Sequence, residues 1–402
     1  MKPGFEELDY QKTRLGDLIL QRRTMLSLNG REIYEIKLGE EYLMSSLFHD
    51  SEVALATIGL GELAGAGWDV AVGGLGLGYT AAAALQFSQI ERLVVVDGLA
   101  AYFRLVFIFT GLAVTLFAWT SEEIMGKLRE NKGEFFALTA FMTAASMVMA
   151  EATDLLMLYL SMEGVGLASY VMAGYMRTTL RSTEASLKYV IFGAVASALM
   201  LYGASLLYGM TGALSFEGIR AGLMSNDVHG LGLLVAVVLM IAGFSYKVAA
   251  VPFHYWAPDV YEGAPTPVSA LFSVGPKAAG FALMIRFFYT TLAEGPDAVA
   301  SAGIIDKINW PLLMAVVSAV TMTLGNLIAL RQSNVKRLLA YSSIAHVGYL
   351  LMGFVLLTDA GLAAILFYLV VYMFMNLGAF FFVVAVNNHL KSEHLDDWQG
   401  LG

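Results

Sequence analysis

Cysteine is missing from this chain altogether, which removes disulfide scaffolds, thiolate zinc, cysteine-ligated iron–sulfur clusters and cysteine nucleophiles. Charge is scarce: Asp, Glu, Lys and Arg make up 14% of 402 residues, where soluble domains carry about 25%. An excess of positive charge is lacking too. The formal net charge of −9 speaks against nucleic-acid partners, which call for a basic face. What fills the chain is apolar: 58% hydrophobic residues, with 40 Gly and 21 Met, and a mean hydropathy of +0.67. An ordinary water-soluble enzyme does not have this composition.

The scarcity of charge is uneven. Residues 1–97 hold 22 charged residues, about 23% of the segment, whereas residues 98–402 hold 35, about 11%. The chain divides by composition near Asp97 into a segment of soluble character and a membrane segment.

A helix needs about 20 apolar residues to cross a bilayer. Nine such stretches are predicted, near 99–120, 134–151, 154–176, 184–209, 229–251, 266–292, 310–330, 335–357 and 361–387. No Asp, Glu, Lys or Arg occurs between Lys307 and Arg331, or between Asp359 and Lys391. Basic residues alternate between the connections. Lys127, Arg129, Lys132, Arg177, Arg181, Arg331, Lys336, Arg337 and Lys391 fall on one side, and Arg220 and Lys307 on the other. The richer side is expected in the cytoplasm, so the first helix runs from outside to inside. The location expected is a bacterial inner membrane.

Against this background, charges inside the helices stand out. Glu163 in YLSMEGVGLASYVMAGY and Lys277 in VGPKAAGFALMIRFF each lie roughly 14–17 Å from the nearer helix end at about 1.5 Å per residue. A lysine stem cannot reach water from there. Each charge costs on the order of 3 kcal/mol even on the mild insertion scale, and such residues mark ion or proton paths. Lys188 lies within two turns of its helix start, so snorkelling and function both remain open. Lys247 precedes Pro252, Pro258, Pro265 and Pro267 in FSYKVAAVPFHYWAPDVYEGAPTPVSAL. A helix broken at depth frees backbone carbonyls that are tolerated only inside protein or beside water, and broken helices mark the ion path of transporters. His254 and His346 either relay protons, as imidazole can near neutrality, or pack through hydrogen bonds. Arg104 and Arg286, nearer helix ends, are expected to snorkel. The pattern offers no metal site, haem-type His pair or phosphate loop in the membrane segment.

PFHYWAPDVYEGAPTPVSAL, the Glu163 helix, STEASLKY, VGPKAAGFALMIRF and NVKRLLAYSSIAHVGYLLMG together resemble the subunit N family of proton-pumping NADH–quinone oxidoreductase, respiratory complex I, over about 95–402. The resemblance implies an antiporter-like fold of two inverted five-helix repeats, the first over about 134–292 and the second from about 310. It implies that Glu163, Lys188, Lys247 and Lys277 form the proton path, with His254 and His346 near the same line. It implies no cofactor in the membrane segment, quinone bound in neighbouring subunits, and other complex I membrane subunits and the lipid bilayer as partners. Nine of the family's fourteen helices are expected, with the second repeat stopping at HLDDWQGLG, and such a chain alone is expected not to pump. A sodium/proton antiporter subunit is the alternative.

Residues 1–97 open without a signal peptide. LILQRR and GREIYEIKLG alternate as a strand hairpin, SEVALATIGLGELA reads as a helix, and DVAVGGLGLGYTAAAAL followed by IERLVVVD gives strand, glycine turn, helix and strand. That order opens a Rossmann-like α/β unit. Gly74, Gly76 and Gly78 would let a ligand approach a helix N-terminus, and Asp97 would accept ribose hydroxyls; a ligand-free glycine turn is the other reading. GREIYEIKLGEEYLMSSLF with VGGLGLGYT resembles the start of spermidine-synthase-like proteins, which implies an S-adenosylmethionine-type ligand. Only the first half of such a domain is present, so weak or no binding is expected. A membrane-anchored transferase of that kind is a third reading of the whole chain. The seam at VVVD reads as a join made by recombination, misassembly or a mistaken gene model, with an evolved bifunctional protein as the other reading, and genomic sequence across codons 90–105 tests it. The overall expectation is a mostly α, polytopic membrane protein preceded by a partial α/β segment.

Overall fold

The computed structural model describes the strand backbone at 5–13, 16–25, 31–38, 41–45, 68–70 and 90–93, and residues 98–126, 132–225, 228–292 and 308–400. Two compact units meet at Asp97/Gly98. In the first, β1 (Phe5–Thr13), β2 (Gly16–Met25), β3 (Arg31–Leu38) and β4 (Glu41–Ser45) form an antiparallel sheet in that order. The expected hairpin is its β2–β3 pair, with Leu18 opposite Leu38 and Arg23 opposite Ile33. A separate parallel pair joins β5 (Trp68–Val70) to β6 (Ile90–Leu93). Gly74, Gly76, Gly78 and Asp97, and the helix expected over 51–64, lie outside the described residues.

The second unit is helical. Its elements are α1 (Gly98–Thr120), α2 (Glu122–Met125), α3 (Lys132–Ala150), α4 (Leu155–Ala173), α5 (Leu180–Thr211), α6 (Phe216–Ser225), α7 (Gly230–Val248), α8 (Trp256–Gly263), α9 (Thr266–Phe287), α10 (Trp310–Ala329), α11 (Val335–Leu356) and α12 (Asp359–Leu390). Among the described residues, nine are long and apolar enough to cross a membrane, all but α2, α6 and α8. α5 and α12, at 32 residues each, run past the predicted boundaries. Starts are set by side chains that take up otherwise unpaired backbone amides. Asp154 accepts from the Met157 amide at 2.8 Å, Asn334 from the Lys336 and Arg337 amides, and Thr358 from the Gly361 amide.

Position in the bundle follows burial. The most apolar stretch of α9 is wholly buried, whereas only 22% of that of α10 is, so α9 is the central helix and α10 a peripheral one. Large apolar side chains such as Leu105, Leu112, Leu167, Phe367 and Phe382 remain exposed. On a soluble protein a surface of this kind would aggregate; on a membrane protein it is the face turned to lipid or to neighbouring helices.

The predicted break after Lys247 is present. α7 ends at Val248, Ala249 takes the left-handed region (φ 62°), the Val251–Pro252 peptide is cis, and α8 begins at Trp256. Groups freed by the break find partners, as buried backbone must. The Val251 amide donates to Thr321 Oγ1 on α10 at 3.0 Å, and Trp256 Nε1 reaches back to the Tyr246 carbonyl at 3.1 Å. Glycine permits the closest approach beside the break: a Cβ on Gly280 of α9 would lie 2.7 Å from Val248 Cγ1 and 3.4 Å from Lys247 Cγ.

Candidate functional site: buried charges along the broken helix

Two of the expected groups converge. Lys247, 3% exposed, donates from Nζ to the Met162 carbonyl at 3.0 Å. Met162 is the neighbour of Glu163 in α4, so the end of α7 sets the ammonium beside the turn of α4 that carries the carboxylate. The Glu163 carboxylate itself accepts from the Ser197 hydroxyl of α5. Its outer flank opens on a groove of about 450 Å³ between α4 and α5, shared with Tyr170 and Ser186. A carboxylate held by one neutral donor and open on one side can be rearranged more readily than one locked in a bidentate pair.

Lys277 forms a second centre. It is 1% exposed and donates to Ser343 Oγ on α11. That hydroxyl lies 2.6 Å from Tyr372 OH on α12, and the phenol donates to the Ser273 carbonyl of α9 at 3.0 Å. The Lys277 ammonium also lies 5.8 Å from the centre of the Tyr261 ring of α8. His346 sits beside this chain. Its Nδ1 is 2.5 Å from Tyr368 OH, and its ring centre is 5.4 Å from that of Tyr372. His254 is buried within the break itself, against Tyr255.

Lys188 lies elsewhere. Its ammonium is 2.6 Å from Asp259 Oδ2 and 2.7 Å from Glu184. Asp259 Oδ1 meets Arg337 at 2.6 Å, and Arg337 also pairs with Glu262 at 2.9 Å. Burial works against ionisation of Asp259, yet hydrogen bonds from Lys188 and Arg337 hold its pKa below the usual carboxylate value. Close by, the buried Lys336 donates to the Ala264 carbonyl at 2.8 Å and pairs with Glu393 at 2.7 Å. A polar basin of about 700 Å³ opens here, lined among others by Glu122, Arg181, Glu262, Lys336, Lys391 and Glu393.

Arg104 and Arg286, expected to snorkel, both reach the C-terminal end of α3: Arg104 pairs with Glu151 at 2.5 Å, and Arg286 donates to the Ala150 carbonyl. Sequence reasoning passed over Ser197, Ser343 and Tyr372, because uncharged hydroxyls carry no positional cost that shows in composition, and it passed over Asp259 as well. Asp259 and Glu262 did carry a signal: spaced by three, they share one face of a short helix. Among the described residues no group of three or more His, Asp or Glu could hold a metal ion.

Among the described residues, nine helices long and apolar enough to cross a membrane, a helix broken after a buried lysine and a further buried lysine on a neighbouring helix define a polytopic membrane protein with costly charges inside its bundle. The sequence pattern of a family described as NADH:quinone oxidoreductase/Mrp antiporter, transmembrane, matches residues 152–402, and the chain belongs to that family. It is 47% identical over 309 residues to NADH-quinone oxidoreductase subunit N 2 of Chloroherpeton thalassium, covering 76% of this chain and 59% of that one. It is 38% identical over 365 residues to subunit N of Magnetococcus marinus, covering 87% and 73%. A structure of respiratory complex I from Thermus thermophilus matches with 33% identity and a TM-score of 0.56, over 71% of this chain and 57% of that one. A membrane-bound sulfane sulfur reductase, an archaeal respiratory complex, matches with 26% identity and a TM-score of 0.63, over 75% and 59%. The chain thus spans a little under three fifths of the length of several proteins it resembles.

Proposed function

We propose that this chain is a proton-translocating membrane subunit of a NADH–quinone oxidoreductase, in a bacterial plasma membrane beside other membrane subunits of that complex. The observation that carries the reading is the Lys247 ammonium at the helix break, on the Met162 carbonyl and level with Glu163. Lys247 exchanges its proton as the Glu163 carboxylate moves toward it or back to Ser197. Lys277 takes the proton next, along water drawn to the broken backbone, and the hydroxyls of Ser343 and Tyr372 hold it there. Quinone reduction in neighbouring subunits supplies the energy. Subunit N relatives at up to 47% identity over 309 residues support this reading over a sodium/proton antiporter subunit. An anchored transferase would have no use for Glu163, Lys247 and Lys277 inside its helices. The test is Glu163→Gln and Lys247→Ala in the assembled complex in vesicles. Loss of proton transport with assembly preserved is expected, and native pumping by either variant overturns the assignment.

A further inference from the structure

The ion-pair cluster at the foot of the broken helix is not used by the mechanism above. We propose that Asp259 is a positioning residue that clamps α8, and that Lys188 is its counter-cation and not a proton carrier. The inference rests on the reading of Lys247 and Lys277 as the proton path, and adds what holds the element between them.

The cluster links three elements through one short helix. α8 has eight residues, about 12 Å of helix, and is too short to hold its place without tertiary contacts. Each carboxylate oxygen of Asp259 has its own cation, Lys188 of α5 on Oδ2 and Arg337 of α11 on Oδ1, both at 2.6 Å. Glu262, one turn on, takes a second contact from Arg337 at 2.9 Å and one from Arg181 at 3.6 Å. Glu184 completes the set on Lys188 at 2.7 Å. Three acids face three bases, so the cluster is neutral as built and any single deletion leaves it with a net charge. Connected ion-pair networks of this kind are the case in which partly exposed pairs contribute measurably.

Packing points the same way. The Trp256 ring stacks on Tyr189 with centres 4.3 Å apart and 12° between planes, and a Cβ on Gly263 would lie 2.5 Å from the Arg181 carbonyl. α8 is therefore pressed onto α5 at both ends, with the Lys188–Asp259 pair between. Lys188 is built as a structural cation: two carboxylates fill two of its three N–H directions. The Glu163 carboxylate is bonded to Ser197 instead. Because α8 connects the Lys247 break to the α9 helix of Lys277, its placement sets the geometry of the path between the two lysines.

Lys188→Arg, Lys188→Met and Asp259→Asn, made in the full-length subunit of the assembled complex, separate the roles. The measured quantity is protons moved per quinone reduced, at matched assembly. Arginine keeps the ion pairs and cannot release a proton, so Lys188→Arg is expected to stay within twofold of native. Lys188→Met and Asp259→Asn are expected to lose at least fivefold. Hydrogen exchange of the 257–263 amides gives a second readout if the methionine variant assembles poorly: Asp259→Asn should speed it and Lys188→Arg should not. Lys188→Arg as defective as Lys188→Met overturns the proposal, as does native exchange and native pumping in Asp259→Asn. Glu163→Gln in parallel distinguishes the failures, because native pumping there sinks the proton-path reading itself.

Discussion

Adding one methyl group at Gly280 tests whether the break geometry holds Lys247 in place. A Cβ there would stand 2.7 Å from Val248 Cγ1, against about 3.5–4.0 Å for ordinary carbon contact. Val248 is fully buried and β-branched, with little rotamer freedom to yield, so α7 and α9 have to part by about 1 Å. Overpacking of this size costs about 1–3 kcal/mol. Lys247 rides on the last turn of α7, and moving its amine from 3.0 Å to beyond hydrogen-bond range of the Met162 carbonyl forfeits a bond to a charged group. Such bonds are worth about 1.5–3 kcal/mol, or about 10- to 150-fold in any step that needs the lysine there. Gly280→Ala is therefore expected to cut proton transport at least tenfold in vesicles bearing the assembled complex, read by a pH-sensitive dye against quinone reduction. Val248→Ala in the same chain removes the clashing methyl and should restore most of the loss. A double variant no better than Gly280→Ala, or native pumping by the single variant, would refute the reasoning.

Three further expectations rest on other contacts. Thr321→Val leaves the Val251 amide buried without its acceptor and should destabilise the purified chain by about 1–3 kcal/mol, whereas Thr321→Ser should not; equal unfolding midpoints for the two would dismiss that role. Ser343→Ala removes the acceptor of Lys277 and Tyr372→Phe removes the next hydroxyl along. Both should lower protons moved per quinone, the serine change more, with Ser343→Thr close to native. Asp259 has a depressed pKa, so its contribution to stability is complete above the ordinary carboxylate value of about 3.9 and is lost as pH falls through the lower folded value. Melting of the solubilised chain between pH 7 and 3 should show that acid loss, and Asp259→Asn should lack it; the same acid slope in both would count against the clamp.

The membrane-spanning architecture was legible because bilayer thickness turns composition into geometry: about 20 apolar residues per crossing locate the nine long apolar helices of the described residues within a few residues. Pro252 and the prolines after it marked the break. Glu163, Lys247 and Lys277 were legible as costly exceptions on an apolar background. The same reasoning had no means of seeing Ser197, Ser343 and Tyr372, since a hydroxyl within a helix can satisfy itself on its own backbone, as Ser146 does on the Met142 carbonyl. It read Lys336 and Arg337 as connection charges, although one is buried on the Ala264 carbonyl and the other bridges Asp259 and Glu262.

Partner choice is where the two levels part. From sequence, Lys188 had two open readings and Glu163 two available lysines, because spacing along separate helices does not say which faces meet. The fold decided it: after the break α8 lies against α5 and α11, which delivers Asp259 to Lys188 and leaves Lys247 on the Met162 carbonyl beside Glu163. The sequence by itself located the crossings found among the described residues, the position of the break and the charges that are costly inside them. Only the tertiary structure decided which charge neutralises which, because that depends on helix rotation and on one short helix whose eight residues are held in place by their neighbours.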